Sequence, residues 1–322
     1  MPAMNVIEDT KGFREQYGAC VATIGKFDGV HTGHQLILQQ LRNKASERGV
    51  PAVVILIEPH PEEFFAATPQ HCPARLSELE EKLDLLAEQG VDIVYKLRFD
   101  ATLQGLSAQE YVEDILLEGL GIVGLVIGND FRFGHQRQGD FALLQDYSVR
   151  YGFELIESAS CEHNGVRISS TYVRQQLQNG DFELVELLLN RPYAISGIVV
   201  QGQQLGRDLG FPTCNVRLNR QCLPLHGVFA CEVRVDNADM AQHLLKGAAN
   251  IGYRPTVSDV PKAVLEVHLL DFDSDIYGER ISVIFRHKIR EERKFESLQA
   301  LQTCIAIDVQ TVREFFEKDM PL

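Results

Sequence analysis

No apolar run in the chain approaches the roughly 18 residues that a membrane-spanning helix requires, so no membrane partner is expected. The opening stretch, MPAMNVIEDT, lacks the basic-then-apolar pattern of a signal peptide, and the expected location is the cytoplasm. Fixed-period repeats, heptads and low-complexity tracts are also missing, which sets aside solenoids, coiled coils and disordered chains. The seven cysteines (Cys20, Cys72, Cys161, Cys214, Cys222, Cys231 and Cys304) are scattered, with no C-x-x-C pair among them. That pattern fits reduced thiols rather than a disulfide frame or a zinc site. Positive charge is scarce: 31 Lys and Arg stand against 45 Asp and Glu, a net charge of -14. No nucleic-acid partner is expected, because such binding needs a basic face. A small phosphate-bearing ligand, held by a few arginines and main-chain N–H groups, stays open.

At 322 residues the chain is long for one hydrophobic core, and two domains are expected. The first part alternates short apolar runs with amphipathic stretches. Strands are predicted at Ala19–Ile24, Ala52–Ile57, Asp92–Lys96, Gly124–Ile127 and Phe153–Ile156, with helices such as Gln35–Arg48 and Leu79–Gln89 between them. Such alternation implies βαβ units and a parallel sheet, with ligands at the carboxyl ends of the strands. After a helical pattern at Phe182–Asn190, Arg191-Pro192 breaks the period. Short β-rich runs follow at Ala194–Val200, Val228–Val235, Ala263–Leu270 and Ile281–Ile289, separated by Gly-rich turns, as in a small antiparallel barrel or sandwich. A final helix is predicted over Ser297–Lys318.

The segment Thr23-Ile-Gly-Lys-Phe-Asp-Gly-Val-His-Thr-Gly-His34 reads as a strand end, a glycine-permitted turn and a helix start. A helix N-terminus exposes unpaired N–H groups and a positive dipole end, which attract anions. His31 and His34, three apart, share one side of that first turn and suit charge developing on a phosphorus atom under attack. H-x-x-H alone describes surface or metal-binding histidines equally well; the glycines, strand and helix start favour phosphate. Further on, Arg167-Ile-Ser-Ser-Thr-Tyr-Val-Arg174 combines helix-capping hydroxyls with two flanking guanidinium groups.

These two strings together resemble the HxGH nucleotidyltransferase superfamily. They are similar in particular to the adenylyltransferase half of the bacterial bifunctional riboflavin kinase/FMN adenylyltransferases, which Glu58-Pro-His-Pro61 and Gly128-Asn-Asp-Phe-Arg-Phe-Gly134 also resemble. The resemblance implies a Rossmann-like domain in which Gly25, Phe27 and Asp28 bind ATP and His31 and His34 contact its phosphates and the transition state. By the same likeness Arg167, Ser170, Thr171 and Arg174 hold the departing pyrophosphate, Asp130 lies by the nucleotide, and His60, Pro61 and Phe64 lie towards the flavin. Lys26 stands where the family usually has Asn and adds a cation beside the phosphates.

In the second part, Gly197-Ile-Val-Val-Gln-Gly-Gln-Gln-Leu-Gly-Arg-Asp-Leu-Gly-Phe-Pro-Thr-Cys-Asn215 lacks the G-K-[ST] of a Walker loop and reads on its own as a loop rich in flexible glycines. Thr213 and Asn215 share a face and offer hard oxygen ligands suited to Mg2+. In Leu265-Glu-Val-His-Leu-Leu-Asp-Phe272 the alternation puts Glu266 and His268 opposite Leu265, Val267 and Leu269. That face is either the wet side of a barrel or a site where a carboxylate serves as general base. The strings Gly206–Asn215, Gly247–Thr256 and Leu265–Phe272 resemble the riboflavin kinase module. The likeness implies a six-stranded antiparallel barrel with a C-terminal helix. In it Gly206, Arg207, Thr213 and Asn215 bind Mg-ATP, Glu266 activates the riboflavin 5′-hydroxyl, and Arg293 belongs to a flap near the flavin. Cys214 replaces the usual Ala, with its side chain expected to face away from Thr213 and Asn215.

The expectation is therefore an adenylyltransferase domain over residues 1–187 and a riboflavin kinase domain over 188–322. Riboflavin, FMN and ATP are the small-molecule substrates, Mg2+ accompanies ATP, and FMN and FAD are products rather than resident groups. A different nucleotidyltransferase leaves the second half without a role, and a non-catalytic flavin carrier leaves His31, His34 and Glu266 without one. The sequence sets no oligomeric state.

Overall fold

The computed structural model describes residues 4–66, 72–128, 130–202, 206, 209–220, 222–237, 240, 243–254 and 262–318. The chain packs as two compact units, one of Met1–Cys72 with Leu79–Ser170, the other of Pro73–Glu78 with Thr171–Leu322.

The first unit is built on six parallel strands: β1 (Asn5–Ile7), β2 (Cys20–Gly25), β3 (Ala52–Glu58), β4 (Ile93–Arg98), β5 (Ile122–Gly128) and β6 (Glu154–Ser158). Their order is β1-β4-β3-β2-β5-β6. The central strands β2, β3 and β5 are apolar on both faces because both are covered, as parallel sheets require, while the edge strands β1 and β6 are more exposed. Cys20, Ala22 and Ile24 of β2 enter one core, with Ile55, Tyr95 and Leu125. Val21 of the same strand enters the other, with Leu38, Leu41, Val54 and Leu86. The helices of this unit are α1 (Phe13–Tyr17), α2 (Thr32–Arg48), α3 (Pro61–Phe65), α4 (Leu79–Glu88), α5 (Ala101–Gly105), α6 (Ala108–Glu110) continuing into a π-helix at Tyr111–Gly119, and α7 (Phe141–Tyr151). A small hairpin, β7 (Glu162–His163) with β8 (Val166–Arg167), precedes α8 (Ser170–Asn179). From β2 the chain moves one way to β3 and β4, and later returns to lay β5 and β6 on the other side. The switch point therefore lies between β2 and β5, where an open α/β sheet forms its ligand crevice at the carboxyl ends.

The second unit holds α9 (Phe182–Leu189) and a closed antiparallel barrel of β9 (Ala194–Val200), β10 (Cys214–Arg217), β11 (Gly227–Val235), β12 (Leu245–Arg254), β13 (Lys262–Leu269) and β14 (Arg280–Arg290). Val199, Val216, Phe229, Ile251, Leu265, Val267 and Phe285 are buried in it. The C-terminal helix (Leu298–Lys318) starts where Ser297 Oγ accepts the N–H of Ala300 at 3.1 Å, and seats Val312 and Phe316 against Ala230 and Leu270. The expected parallel-sheet domain and six-stranded barrel are both present. The short segment 73–78 belongs to this unit as well: buried Arg220 donates to Glu78 at 3.2 Å and to the carbonyls of Arg75 and Leu76, and Tyr193 donates to the carbonyl of Leu76 at 3.1 Å.

Candidate active sites

At the carboxyl end of β2 the backbone is forced into an unusual path. Phe27, Gly29 and Val30 all have positive φ, at 47°, 78° and 40°. For Gly29 this is free, but for β-branched Val30 it is a strained conformation that the surroundings must impose. They do so by burial, since Phe27 and Val30 are each 1% exposed and sit in the core beside Leu38 and Leu41. Ser170 Oγ adds a tie by donating to the carbonyl of Asp28 at 2.9 Å.

The path delivers His31 to the N-cap of α2, where its Nδ1 accepts the main-chain N–H of His34 at 3.3 Å. A nitrogen that accepts carries no proton, so neutral His31 holds its proton on Nε2. The two rings stack with centroids 3.7 Å apart and planes 19° from parallel. Gly33 is what lets them do so, because a Cβ there would lie 3.2 Å from two atoms of the His31 ring. Burial pushes the pKa of His34 well down, and the charges of His31, Lys82 and Lys26 add to the effect. Its Nδ1 is buried with no hydrogen-bond partner among the described residues, which leaves an acceptor or donor for a ligand. Lys26 is paired with Glu62 at 2.5 Å, so the extra cation of this chain is shared with a carboxylate on α3.

Asp130, just beyond β5, is bonded to Arg167 of β8 at 2.7 Å, and this bond draws the Asp130 carboxyl below its usual range. His60 precedes α3, whose first residue is Pro61, and its Nε2 lies 3.0 Å from Lys82 Nζ. Phe64, Phe65 and Phe99 form an edge-on aromatic trio with centroids 5.3 to 5.8 Å apart, and Phe64 and Phe65 are exposed. Phe65, Phe99 and Lys82 were not among the predicted site residues. Thr171 and Arg174 lie on α8 within the second unit, where Arg174 Nε donates to the carbonyl of Ala74 at 2.5 Å.

In the barrel, strand register aligns three side chains in one row. Glu266 of β13 lies opposite Asn215 of β10 on one side and Asn250 of β12 on the other. All three point away from the core that Val216, Ala249, Leu265 and Val267 fill. Backbone from the glycine-rich turn packs close by. A Cβ at Gly206 would lie 3.2 Å from Thr213 Oγ1, and one at Gly202 would collide with the Asn215 carboxamide. Arg207 and Pro255-Thr256 lie outside the described residues. An adjoining cavity of about 320 Å³ is lined by Thr213, Cys214, Phe272, Asp273 and Tyr277 among others. Cys214 turns inward, donates its thiol to the carbonyl of Val267 at 3.3 Å, and is pushed up to about 11 by burial. His268 holds the approach to the row by contact with the carbonyl of Pro212 at 2.8 Å. Arg293 stacks over Phe295 and donates to Cys304 Sγ on the C-terminal helix at 2.8 Å.

Two family models match the chain, FAD synthetase over residues 13–172 and riboflavin kinase over residues 189–316. A bifunctional riboflavin kinase/FMN adenylyltransferase of Pseudomonas fluorescens is 47% identical over 310 residues, covering 96% of this chain and 97% of that protein. Its counterpart in Escherichia coli (strain K12) is 49% identical over 302 residues, covering 94% of each. This chain belongs to the bifunctional riboflavin kinase/FMN adenylyltransferase family. It is a transferase of flavin synthesis, and each of its two activities has a matched segment of its own. A crystal structure described as a macrolide-efflux protein from Streptococcus pneumoniae has the same fold, with a TM-score of 0.80 at 27% identity over 97% of this chain and 99% of that one.

Proposed function

We propose that residues 1–187 transfer AMP from ATP to FMN, and that residues 188–322 phosphorylate riboflavin. The pairing of His31 and His34 at the N-terminus of α2 carries the first half of this reading. In it a phosphate oxygen of FMN attacks the α-phosphorus of ATP, the α–β bridging bond breaks, and pyrophosphate leaves. No enzyme nucleophile is needed, since positioning and charge stabilisation do the work. His31 presents its Nε2–H to a phosphate oxygen. His34, kept neutral, presents an imidazole without repelling the His31 proton. Gly25, Phe27 and Asp28 shape the turn, Asp130 and Arg167 stand by the nucleotide, and Ser170, Thr171 and Arg174 take the pyrophosphate. Beside His60 and Pro61, exposed Phe64 of the edge-on aromatic trio offers an apolar ring for the isoalloxazine to pack against.

In the second half Glu266 accepts the proton of the riboflavin 5′-hydroxyl as that oxygen attacks the γ-phosphorus, and ADP departs. Thr213 and Asn215 fit a magnesium ion that arrives with ATP. They supply hard oxygens, and no group of three or more His, Cys, Asp or Glu offers a dedicated cage among the described residues. Bound there, the ion would neutralise charge on the β- and γ-phosphates. Gly206 and Arg207 flank the nucleotide and Arg293 the flavin. All seven cysteines are free, which supports a reducing, cytoplasmic setting, and no helix among the described residues is long and apolar enough to cross a membrane.

Chromatography of a mixture of riboflavin, ATP, Mg2+ and the protein tests the reading. FMN, FAD, ADP and pyrophosphate together are expected. Release of ADP without pyrophosphate, with FMN as the only flavin product, would remove the first half of it.

A further inference from the structure

Arg167 ends β8, the second strand of the small hairpin, and Asp130 lies just past the carboxyl end of β5. They come from different elements, yet Arg167 Nη1 bonds Asp130 Oδ2 at 2.7 Å. The hairpin itself offers the guanidinium a carboxylate, since Glu162 of β7 is the partner of Arg167 in register. The arginine reaches past that neighbour to the end of β5, where the sheet forms its ligand crevice.

Both ends of the bond are built in. A Cβ at Gly128 would lie 2.9 Å from Asp130 Oδ1, so the glycine leaves room for a carboxylate folded over the end of the strand. On the arginine side Ile168 is buried, and its N–H donates to the carbonyl of Cys161 at 2.8 Å. The carbonyl of Ile168 lies 3.6 Å from where a Cβ of Gly33 would stand, in the first turn of α2. The residue after Arg167 is thus packed against the helix start that presents His31 and His34.

Both side chains remain open to water, at 52% exposure for Arg167 and 56% for Asp130. So exposed a pair contributes little to stability and is readily exchanged for another anion. A polyphosphate is the stronger partner, because its oxygens match the guanidinium fork and carry more charge. A guanidinium with no other partner would keep hold of pyrophosphate after the chemistry, whereas a carboxylate within reach gives it somewhere to go. The bond from Arg167, and then the charge of Arg132, keep Asp130 ionised for that exchange.

We propose that Asp130 is a positioning residue for FAD formation, which holds Arg167 at the crevice between turnovers and takes its guanidinium back as pyrophosphate leaves. This rests on the assignment of adenylyl transfer to the first unit.

The test is inhibition of FAD formation by added pyrophosphate, using the full-length protein with supplied FMN and Mg-ATP. Asp130→Asn keeps the shape of the side chain and removes its charge. The inhibition constant for pyrophosphate should fall about three- to fivefold, the upper range of what an exposed ion pair is worth. A merely structural loss would weaken inhibition, not tighten it. In Arg167→Gln the pair is already broken, so the same change at Asp130 should tighten inhibition by at most half the factor seen in the wild type. A fall of less than twofold in Asp130→Asn overturns the proposal. So does weaker inhibition, which would make Asp130 a ligand of the magnesium that travels with pyrophosphate. A factor in Arg167→Gln above half the wild-type one overturns it as well, since plain charge repulsion would then suffice. If Asp130→Asn does not fold, Asp130→Ser takes its place under the same criteria. A wild type that makes no FAD would instead refute the assignment of adenylyl transfer. Calorimetric titration of the same proteins with pyrophosphate then judges the pair separately under the same twofold criterion, because the barrel is unaltered in all of them.

Discussion

His31 Nδ1 accepts the main-chain N–H of His34, and the two imidazoles stack at 3.7 Å. One histidine is thus the helix cap and, in the function proposed, a phosphate ligand, and structural and catalytic losses can be separated by substitution. His31→Ala should abolish FAD formation, so that FMN accumulates from riboflavin and ATP, and should cost about 1 kcal/mol through the lost cap. His31→Asn restores a capping acceptor. Urea unfolding followed by a probe in the first unit should therefore find it near wild type, with FAD formation still absent. Full FAD activity in folded His31→Asn would contradict the role of the imidazole.

The buried His34 makes a prediction about pH. Its folded pKa lies below the ordinary value of about 6.5, so the unfolded chain binds the extra proton first as the medium is acidified. The contribution of His34 to stability is fully present above pH 6.5 and is lost as the pH falls from there towards the folded pKa. Unfolding midpoints at pH 7.5 and 5.5 should drop more for wild type than for His34→Gln. Equal drops would show that His34 titrates alike in both states.

Glu266 stands in register between Asn215 and Asn250, facing away from the barrel core. Glu266→Gln keeps size and hydrogen bonding but cannot accept the 5′-hydroxyl proton. FMN formation should fall by 10² or more, the usual scale for a general base, while FAD formation from supplied FMN continues. Loss of both activities in a folded protein would sink the division of labour.

The thiol of Cys214, pushed up to about 11, should be inert although it lines the cavity beside Thr213. At pH 8 only about one part in a thousand is thiolate. Alkylation followed by mass spectrometry should find it slow, and Cys214→Ala should keep FMN formation. Rapid labelling with loss of kinase activity would contradict this.

Much of the architecture was legible from periodicity, because both faces of the parallel sheet are buried at its centre and the strands there are continuous apolar runs. The amphipathic pattern at Gln35–Arg48 and the helix start read from the turn before it join in one helix, Thr32–Arg48, whose first turn carries Gly33 and His34. Two barrel strands were not read from pattern. β10 hides behind the motif around Thr213, and β12 contains Gly247 and Gly252, which strand propensity disfavours. Close backbone approach accounts for the first of them: a Cβ at Gly247 would lie 2.8 Å from the carbonyl of His268, whereas one at Gly252 would meet the Glu292 carboxylate. Lys82 left a faint trace, a charge on an apolar helical stripe, which local pattern alone assigns to solvent.

Nothing local marks segment 73–78 as part of the barrel unit, because its ties to Arg220 and Tyr193 span more than a hundred residues. The consequence is measurable. A fragment of residues 171–322 keeps the rest of the second unit but lacks Glu78, removing the carboxylate that Arg220 pairs with. It should be less stable than the second unit in the full chain by about 3–5 kcal/mol, the scale for breaking a buried pair. Arg220→Met should recover part of that in the fragment. A fragment as stable as the full-length barrel would show the segment to be dispensable.

The most direct measurement of the central claim follows two phosphorus labels from one pool of ATP, one isotope at the α-position and another at the γ-position. FAD made from riboflavin should carry both in equal amounts, and FAD made from supplied unlabelled FMN should carry the α-label alone. FAD from riboflavin bearing only one of the two labels would contradict a chain that cleaves ATP at two different phosphorus atoms.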